Sequence, residues 1–289
     1  MGQPVAIIAY NRPQYLFSCL TSLEQQCKGR DVYLFLDGER GPQEKSLVDD
    51  SEDLFKEIFP NGNCERSEYN LGVAFNTKRA REYMFNLYES AVFIEDDLVL
   101  NSFYMEIMDA LMDRFKKEDK VAMVSAYGGN TTRKLGAHSL EDQIRNKNKL
   151  VTMDHILGYG AWRNKFEVIK PLLQQYYDLL PSEYRYRPHA EILKFWQSKG
   201  VRNSMTTTSQ DAATVMSMLL NKQIKLSTYA NNLLYIGEWG EHSRPADFER
   251  YQWDQWPVMD EMVTDYEYNE EVYEFTLKEL EERYIKDGQ

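Results

Sequence analysis

The stretch AVFIEDD, residues 91–97, joins a short apolar run to three consecutive acidic residues. Apolar runs of this length with β-branched members are typical of buried strands, and the stretch predicts a strand over residues 91–95. The acids Asp96 and Asp97 then fall at the carboxyl end of that strand. Because open parallel sheets bind ligands at this edge, the stretch indicates both the type of sheet and the place of a site within it.

The same alternation extends to both sides of this stretch. Apolar runs predict strands at residues 5–9, 32–36 and 121–126, and amphipathic segments predict helices at residues 13–26, 43–59, 73–90 and 102–117. Pro13 suits a first helical turn, and Ser102 is a suitable capping residue for its helix. Strands that alternate with helices predict an α/β domain with a mainly parallel central sheet flanked by helices.

The second half of the chain has a less regular pattern. Residues 128–149 form a polar, basic segment rich in Gly, Asn, Thr and Lys. Long loops in compact domains are usually functional or disordered, and an ordered loop here would form a lid over a site. Beyond it, the pattern predicts helices at residues 163–173, 190–199 and 210–221, and strands at residues 224–229 and 233–236.

The tail, residues 247–289, is acidic and aromatic. It holds 14 acidic and 4 basic residues, which is −10 of the chain's formal charge of −12 and leaves −2 for the body. A final helix would place Tyr273, Leu277, Leu280 and Tyr284 on one face, which predicts packing on the body or, less commonly, a contact in a homo-oligomer. Because no dense basic face is present, nucleic acid is not an expected partner.

Length and hydropathy place the chain among globular proteins. Its 289 residues are 43% hydrophobic, and no apolar run approaches the roughly 20 residues that span a bilayer. The first residues turn polar too soon for a signal peptide. We therefore expect a cytoplasmic protein without an integral membrane segment, which could still act at a membrane surface as a peripheral protein.

Polar residues also follow the other predicted strands. Asn11 and Arg12 follow the first strand, and Asp37 follows the second. Adjacent carboxylates such as Asp96 and Asp97 repel each other unless a cation, a helix cap or water takes up the charge. Mg²⁺ or Mn²⁺, which binds one or two carboxylates and substrate phosphates, is the functional explanation. The alternative is a solvated acidic turn before the positive end of the next helix.

The ordered set Asn11-Arg12-Pro13, Asp37-Gly38, Asn70-Leu71-Gly72 and Glu95-Asp96-Asp97 resembles nucleotide-sugar glycosyltransferases with the GT-A (Rossmann-like) fold. Within that fold it is similar to the inverting family 2 type and to the eukaryotic β-1,2-N-acetylglucosaminyltransferases. The resemblance covers roughly residues 4–236. It implies a GT-A domain over residues 1–246, with a nucleotide-binding half at about 1–127 and an acceptor half at about 128–246, followed by the extension 247–289.

The resemblance also implies substrates and a metal. The donor would be a UDP- or GDP-sugar, the acceptor a hydroxyl of a glycan or glycolipid, and the cofactor Mn²⁺ or Mg²⁺. Asn11 and Arg12 would line the nucleotide pocket, and Asp37 would contact the base. Asp96 would lie near the ribose or sugar, and Asp97 would bind the metal directly. Glu95 is ambiguous, because strand alternation points it away from Asp96.

Further binding residues follow from the same resemblance. Asn70 and Gly72 belong to a turn whose backbone can approach the donor, and Lys78 can face phosphate. The alternative for this segment is an ordinary turn into a helix with exposed basic residues. Trp162, in GYGAW at residues 158–162, matches the Gly-aromatic segment beneath the donor sugar and acceptor. Its alternative is a place in the core.

Two residues late in the chain complete the implied site. Asp211 matches the carboxylate that takes the proton of the acceptor hydroxyl, and direct displacement would then invert the anomeric carbon. Its alternative is a first-turn acid behind the cap Ser209. His242 is similar to the late histidine that many GT-A enzymes supply to the metal or diphosphate, and its alternative is a surface-loop histidine.

Two other functions remain open. The first is a sugar-nucleotide or glycan binding module on the same scaffold, without turnover. The second is an aspartyl phosphatase with a nucleophilic carboxylate in Asp37-Gly38-Glu39. A dehydrogenase and a P-loop enzyme are disfavoured, because neither G-x-G-x-x-G nor G-x-x-x-x-G-K-[ST] occurs.

Overall fold

A computed structural model describes residues 2–128, 139–152, 156–181, 187–202, 204–240, 245–251 and 253–285. In these residues the strands are β1 (Val5–Ala9), β2 (Val32–Leu36), β3 (Asn63–Arg66), β4 (Ser90–Glu95), β5 (Leu98–Leu100), β6 (Val121–Ser125), β7 (Leu150–Val151), β8 (Tyr159–Trp162), β9 (Ile224–Thr228) and β10 (Leu233–Tyr235). The strands predicted at residues 5–9 and 32–36 are confirmed to the residue. Every side chain in them is buried, as their apolar sequence predicted.

The helices of the described residues alternate with these strands. They are α1 (Pro13–Glu24), α2 (Lys45–Ile58), α3 (Gly72–Leu87), α4 (Tyr104–Phe115), α5 (Leu140–Arg145), α6 (Arg163–Tyr177), α7 (His189–Ser198), α8 (Gln210–Leu220), α9 (Pro245–Tyr251) and α10 (Glu270–Tyr284). The predicted cap Ser102 is wrong: α4 follows Phe103, and the side chain of Asn101 accepts the Phe103 N–H at 3.2 Å.

Within the described residues, the central sheet has eight strands in the order β3-β2-β1-β4-β8-β6-β9-β7. Six of them run in one direction, whereas β8 and β7 run in the other. This mainly parallel α/β architecture confirms the predicted fold class. A separate antiparallel pair, β5 with β10, lies just beyond the carboxyl end of β4.

Helices cover both faces of the sheet. Tyr159 of β8 bonds to Arg81 of α3, and its neighbour Gly160 packs against Met112 of α4. Because successive residues of a strand point to opposite faces, α3 and α4 lie on opposite sides of β8. The carboxyl ends of β1, β2 and β4 meet at one edge, where the sequence predicted the site.

The C-terminal extension packs on the body. The Met259 N–H donates to the Asn231 carbonyl at 2.8 Å, and the Asn101 amide donates to the Met259 carbonyl at 2.7 Å. In α10, Tyr273, Leu277 and Leu280 are buried. This is the apolar face predicted for the final helix.

No helix within the described ranges is both long and apolar enough to cross a bilayer.

Candidate active site

Arg12 lies between the two acids at the end of β4. Its Nη2 forms an ion pair with Asp96, lies 3.0 Å from Oδ2 of Asp97, and its Nε donates to Asp96 Oδ2 at 3.4 Å. The parallel pairing of β1 with β4 produces this contact, since the Asp96 N–H donates to the Ile8 carbonyl at 3.1 Å. The sheet thus brings together three residues predicted to share one site.

The charges of this cluster do not balance. Burial works against the charged guanidinium, but Asp96 and Asp97 raise the pKa of Arg12 above its ordinary value. Burial raises the pKa of Asp97 to about 6; Arg12 opposes this rise and Asp96 adds to it. One guanidinium facing two carboxylates leaves an excess of negative charge at a buried strand end, which favours the binding of a cation.

A segment beyond β10 covers this cluster. We call residues 236–240 the strap. The Ile236 N–H donates to the Asp97 carbonyl at 2.9 Å, and the Gly237 backbone lies against the Asp97 carboxylate, where a Cβ would overlap Oδ2. Farther on, the Trp239 carbonyl accepts from Nη1 of Arg12 at 3.2 Å. The strap therefore contacts both the Asp97 carboxylate and the Arg12 guanidinium.

Asp37 has an extensive set of partners. Its carboxylate accepts the backbone N–H groups of Gly38 (3.0 Å), Leu71 (2.7 Å) and Gly72 (2.9 Å), and the Asn70 amide (3.1 Å). The side chain is 3% exposed. Burial raises the pKa of Asp37, although its backbone hydrogen bonds oppose the rise. Asp37 therefore fixes the turn before α3, and both of its oxygens are already engaged.

Asn70 and Gly72 belong to the same turn. The Asn70 amide also donates to the Gly38 carbonyl at 3.0 Å, and Gly72 has a positive φ of 75°. A side chain is strained in that conformation, so the turn depends on glycine there. The turn that the sequence predicted near the donor is present, with its two predicted residues held by Asp37.

Asn11 begins a small network at the end of β1. Its amide nitrogen donates to Glu44 at 3.3 Å, and the Glu44 carboxylate also accepts from Tyr10 and from the Arg40 N–H. Arg40 lies over the Tyr10 ring at 5.1 Å. The Asn11 side chain is thereby fixed beside Arg12, at the edge where the sequence predicted a nucleotide pocket.

Glu95 and Asp211 are acids whose pKa is raised. Burial raises the pKa of Glu95 well above its ordinary value, and the charges of Asp211 and Asp97 raise it further. Burial likewise raises the pKa of Asp211, opposed by Arg81, Lys225 and Arg187. Both carboxyl groups therefore favour the protonated form more than an exposed acid does.

Asp211 occupies the first turn of α8. The Ser209 side chain caps this helix by accepting the Ala212 N–H at 3.1 Å, as the sequence predicted. The helix dipole therefore favours the Asp211 carboxylate. The first-turn position of Asp211 was the alternative given for this residue, and its role as a base stays a prediction.

Arg81, Tyr159 and Thr214 were not predicted as part of this site. Arg81 is 1% exposed, and it donates to the Tyr159 hydroxyl at 2.6 Å and to the Thr214 hydroxyl at 3.1 Å. The cation therefore links α3, β8 and α8 beneath Asp211. A signal exists in the sequence, because Arg81 shares the buried stripe of α3 with Ala80 and Met84.

The predicted role of Trp162 is wrong. Strand β8 runs antiparallel to β4, so that Trp162 pairs with Ser90, at the edge of the sheet opposite Glu95. The ring is 2% exposed, and the Lys165 ammonium lies 3.7 Å from its centroid. Trp162 is a core residue, and Tyr159 is the aromatic residue of GYGAW at the correct edge.

Lys78 belongs to the described residues, whereas His242 does not. Lys78 pairs with Glu82 at 3.2 Å and lies 5.7 Å from the centre of the Tyr177 ring. These contacts place it on the outer side of α3, in a shallow groove with Leu71. His242 lies outside the described residues, as do residues 129–138 of the predicted lid, so both roles stay predictions.

The carboxylates at the end of β4 fit a hard divalent cation. In the ranges described above, no group of three or more His, Cys, Asp or Glu side chains is arranged to hold a metal ion. Mg²⁺ and Mn²⁺, however, are often held by one or two carboxylates, with phosphate oxygens and water completing the shell. Asp97 offers such a ligand, because it is buried beside Asp96 and only one guanidinium, that of Arg12, faces the two carboxylates.

Known proteins give partial similarities. No protein-family description and no curated protein matches the chain. It is similar to the apo structure of the bifunctional glycosyltransferase WbbM, with 15% identity and a TM-score of 0.33 over 60% of this chain and 34% of that one. The chain thus spans about a third of the WbbM structure.

A second similar structure is 4-diphosphocytidyl-2C-methyl-D-erythritol synthase from Anaerococcus prevotii DSM 20548. It is 13% identical, with a TM-score of 0.36 over 68% of this chain and 85% of that one. The assignment of the mainly parallel α/β fold rests on the strand pairing itself.

Proposed function

We propose that this protein is a metal-dependent, inverting glycosyltransferase that moves a hexosyl or N-acetylhexosaminyl group from a UDP- or GDP-sugar to a hydroxyl of a glycan or glycolipid. One observation carries the proposal. Arg12, Asp96 and Asp97 form a charged cluster at the carboxyl edge of a mainly parallel sheet. Ligands of open α/β folds bind at this edge.

The donor half of the reaction belongs to the Arg12 side of β4. Asp97 would hold Mn²⁺ or Mg²⁺, which supplies charge neutralisation for the departing nucleoside diphosphate. Arg12 orients both acids, because it contacts each of them. The turn of Asn70 and Gly72, fixed by Asp37, and the side chain of Asn11 would border the nucleotide.

The acceptor half belongs to the Asp211 side. A general base works best when its pKa lies near the working pH, and burial raises the pKa of Asp211 towards that range. Asp211 would take the proton of the acceptor hydroxyl as that oxygen forms its bond to the anomeric carbon. The bond to the diphosphate then breaks on the opposite face, which inverts the configuration.

The structure disfavours the phosphatase alternative. A nucleophilic carboxylate needs a free oxygen, yet Asp37 is 3% exposed and accepts four hydrogen bonds from the turn. A binding module without turnover remains the competing function. It predicts the same ligands at the Arg12 side and gives Asp211 no chemical role.

Two measurements test the proposal. The first is the thermal midpoint of the protein and of Asp97→Asn with UDP, GDP and their sugars, with and without Mn²⁺, since ligands of the native state raise the midpoint. We expect a shift that requires metal and is lost in the variant. The absence of any shift with these nucleotides at millimolar concentration would refute a nucleotide-sugar enzyme.

The second measurement is turnover of the donor that binds. Asp211→Asn should bind this donor as the parent does and lose about 10²-fold or more in rate. The control is Glu191→Gln, another acid in the first turn of a helix, which should leave the rate unchanged. Donor binding without turnover against a broad acceptor panel would favour the binding module, and a retained anomeric configuration would refute inversion.

A further inference from the structure

The strap carries one exposed aromatic side chain, that of Trp239. Trp239 is 65% exposed, and in the described part of the chain no other ring packs on it. Single exposed apolar residues are common on protein surfaces and need no explanation by themselves. Trp239 differs from such residues because its own backbone contacts the charged cluster.

The Trp239 main chain is held on both sides. Its N–H donates to the Tyr15 hydroxyl at 3.1 Å, and its carbonyl accepts from Arg12 Nη1 at 3.2 Å. Arg12 in turn lies over the Tyr15 ring at 5.2 Å. Because these bonds involve the backbone, they persist when the indole is removed. The backbone that carries the exposed ring is therefore held beside the start of α1.

Trp239 lies beside the acids proposed to hold the metal. Its carbonyl accepts from Nη1 of Arg12, and Nη2 of the same guanidinium contacts Asp96 and Asp97. In the proposed function these acids lie at the metal that neutralises the diphosphate of the donor. The backbone of Trp239 is therefore attached to the donor side of the proposed site.

We propose that the Trp239 indole is the surface on which the nucleobase of the donor stacks. This inference rests on the proposed function. Aromatic faces bind flat bases by stacking, with little dependence on base identity. Asp37, which the motifs predicted to contact the base, has its oxygens engaged by the turn before α3. Stacking on Trp239 supplies a base contact that Asp37 does not provide.

The test compares ligands with and without a base. Calorimetry with Mn²⁺ gives the affinity of UDP, GDP and pyrophosphate for the parent protein, Trp239→Ala and Trp239→Phe. The matched control is Phe275→Ala, because Phe275 is also 65% exposed but lies on α10. Acrylamide quenching of tryptophan fluorescence, with and without nucleotide, reports whether the indole becomes covered.

We expect Trp239→Ala to lower the affinity for the nucleoside diphosphate that the parent binds by at least fivefold. Trp239→Phe should restore this affinity to within threefold of the parent's. Pyrophosphate affinity should be unchanged, nucleotide should protect the indole from acrylamide, and Phe275→Ala should behave as the parent.

Unchanged nucleotide affinity in Trp239→Ala would overturn the inference and leave the proposed function standing. An equal loss for pyrophosphate, or failure of Trp239→Phe to restore binding, would also overturn it, because a disturbed strap would then explain the loss. If the parent protein bound no nucleoside diphosphate, both the inference and the proposed function would fail.

Discussion

The backbone of Gly237 lies directly on the carboxylate of Asp97, so closely that a Cβ at Gly237 would overlap Oδ2. The strap and the acid therefore fit only while residue 237 has no side chain. Gly240 is less restricted, since a Cβ there would stand 3.1 Å from Nη1 of Arg12. An alanine at each of the two glycines therefore tests how closely the strap packs on the cluster, with the larger effect expected at Gly237.

Gly237→Ala should displace Asp97 or lift the strap. We expect metal-dependent nucleotide affinity to fall at least tenfold, because metal coordination tolerates little displacement of a ligand. Gly240→Ala should change the affinity less than threefold, since a Cβ at 3.1 Å requires a much smaller shift of its neighbour than one at 2.4 Å. Calorimetry with the bound nucleotide and Mn²⁺ measures both, and equal effects of the two substitutions would contradict the close contact at Gly237.

The buried carboxylate of Asp97 should lower the free energy of unfolding at neutral pH. Its pKa is raised from 3.8 to about 6, so the folded protein retains a proton that the unfolded chain releases between these values. Stability therefore falls as pH rises from about 4 to 6, and the whole cost is present above pH 6. Without metal, Asp97→Asn should be more stable than the parent at pH 7, by up to about 3 kcal/mol.

Urea denaturation at pH 7 and pH 4 measures this effect, and the advantage of Asp97→Asn should disappear at pH 4. Asp113→Asn, an exposed acid on α4, is the control and should stay within about 0.5 kcal/mol of the parent. A variant that is less stable than the parent at pH 7 would show that the Arg12 contact outweighs the cost of burial.

Asp37→Ala should destabilise the fold by about 3 kcal/mol. The substitution leaves the N–H groups of Leu71 and Gly72 at the start of α3 without their carboxylate, and hydrogen bonds to a charged group are worth more than neutral ones. Glu39→Ala removes a half-buried ion pair with Arg66 and should cost much less stability than Asp37→Ala. Chemical denaturation compares them, and similar costs would refute the structural role of Asp37.

Lys165→Met should also destabilise the fold by about 3 kcal/mol. The buried ammonium donates to the carbonyls of Phe115, Glu118 and Val121, and methionine fills its volume without offering a donor. Lys170→Met, on the exposed side of α6, is the matched control and should have little effect. Circular dichroism in urea gives both midpoints, and equal midpoints would contradict the three hydrogen bonds.

The sequence indicated the elements whose burial is uniform. Val5–Ala9 and Val32–Leu36 were predicted because each is apolar throughout. Asn63–Arg66 was missed, because an edge strand with polar residues carries no such pattern. Tyr159–Trp162 was not predicted as a strand, because two of the five residues in GYGAW are glycines and tertiary pairing alone gives the segment its conformation.

The candidate site was predictable to the extent that strand ends define it. Arg12, Asp96 and Asp97 follow β1 and β4, and their contact follows from the pairing of these strands. The position of Asp211 relative to the sheet depends on how α8 packs, which no local pattern encodes. Trp162 was misplaced because a motif gives the order of residues but not the direction of the strand that contains them.

The direction of β8 has a consequence for synthesis on the ribosome. Among the strands of the central sheet, β6 is the next after β4 in the chain, yet β8 separates them in the sheet. The first four strands can pair as soon as they emerge, but one edge of β4 stays open until Tyr159–Trp162 has left the exit tunnel. Because an exposed strand edge can pair with another chain, the nascent protein passes through a stage in which a chaperone has a defined surface to protect.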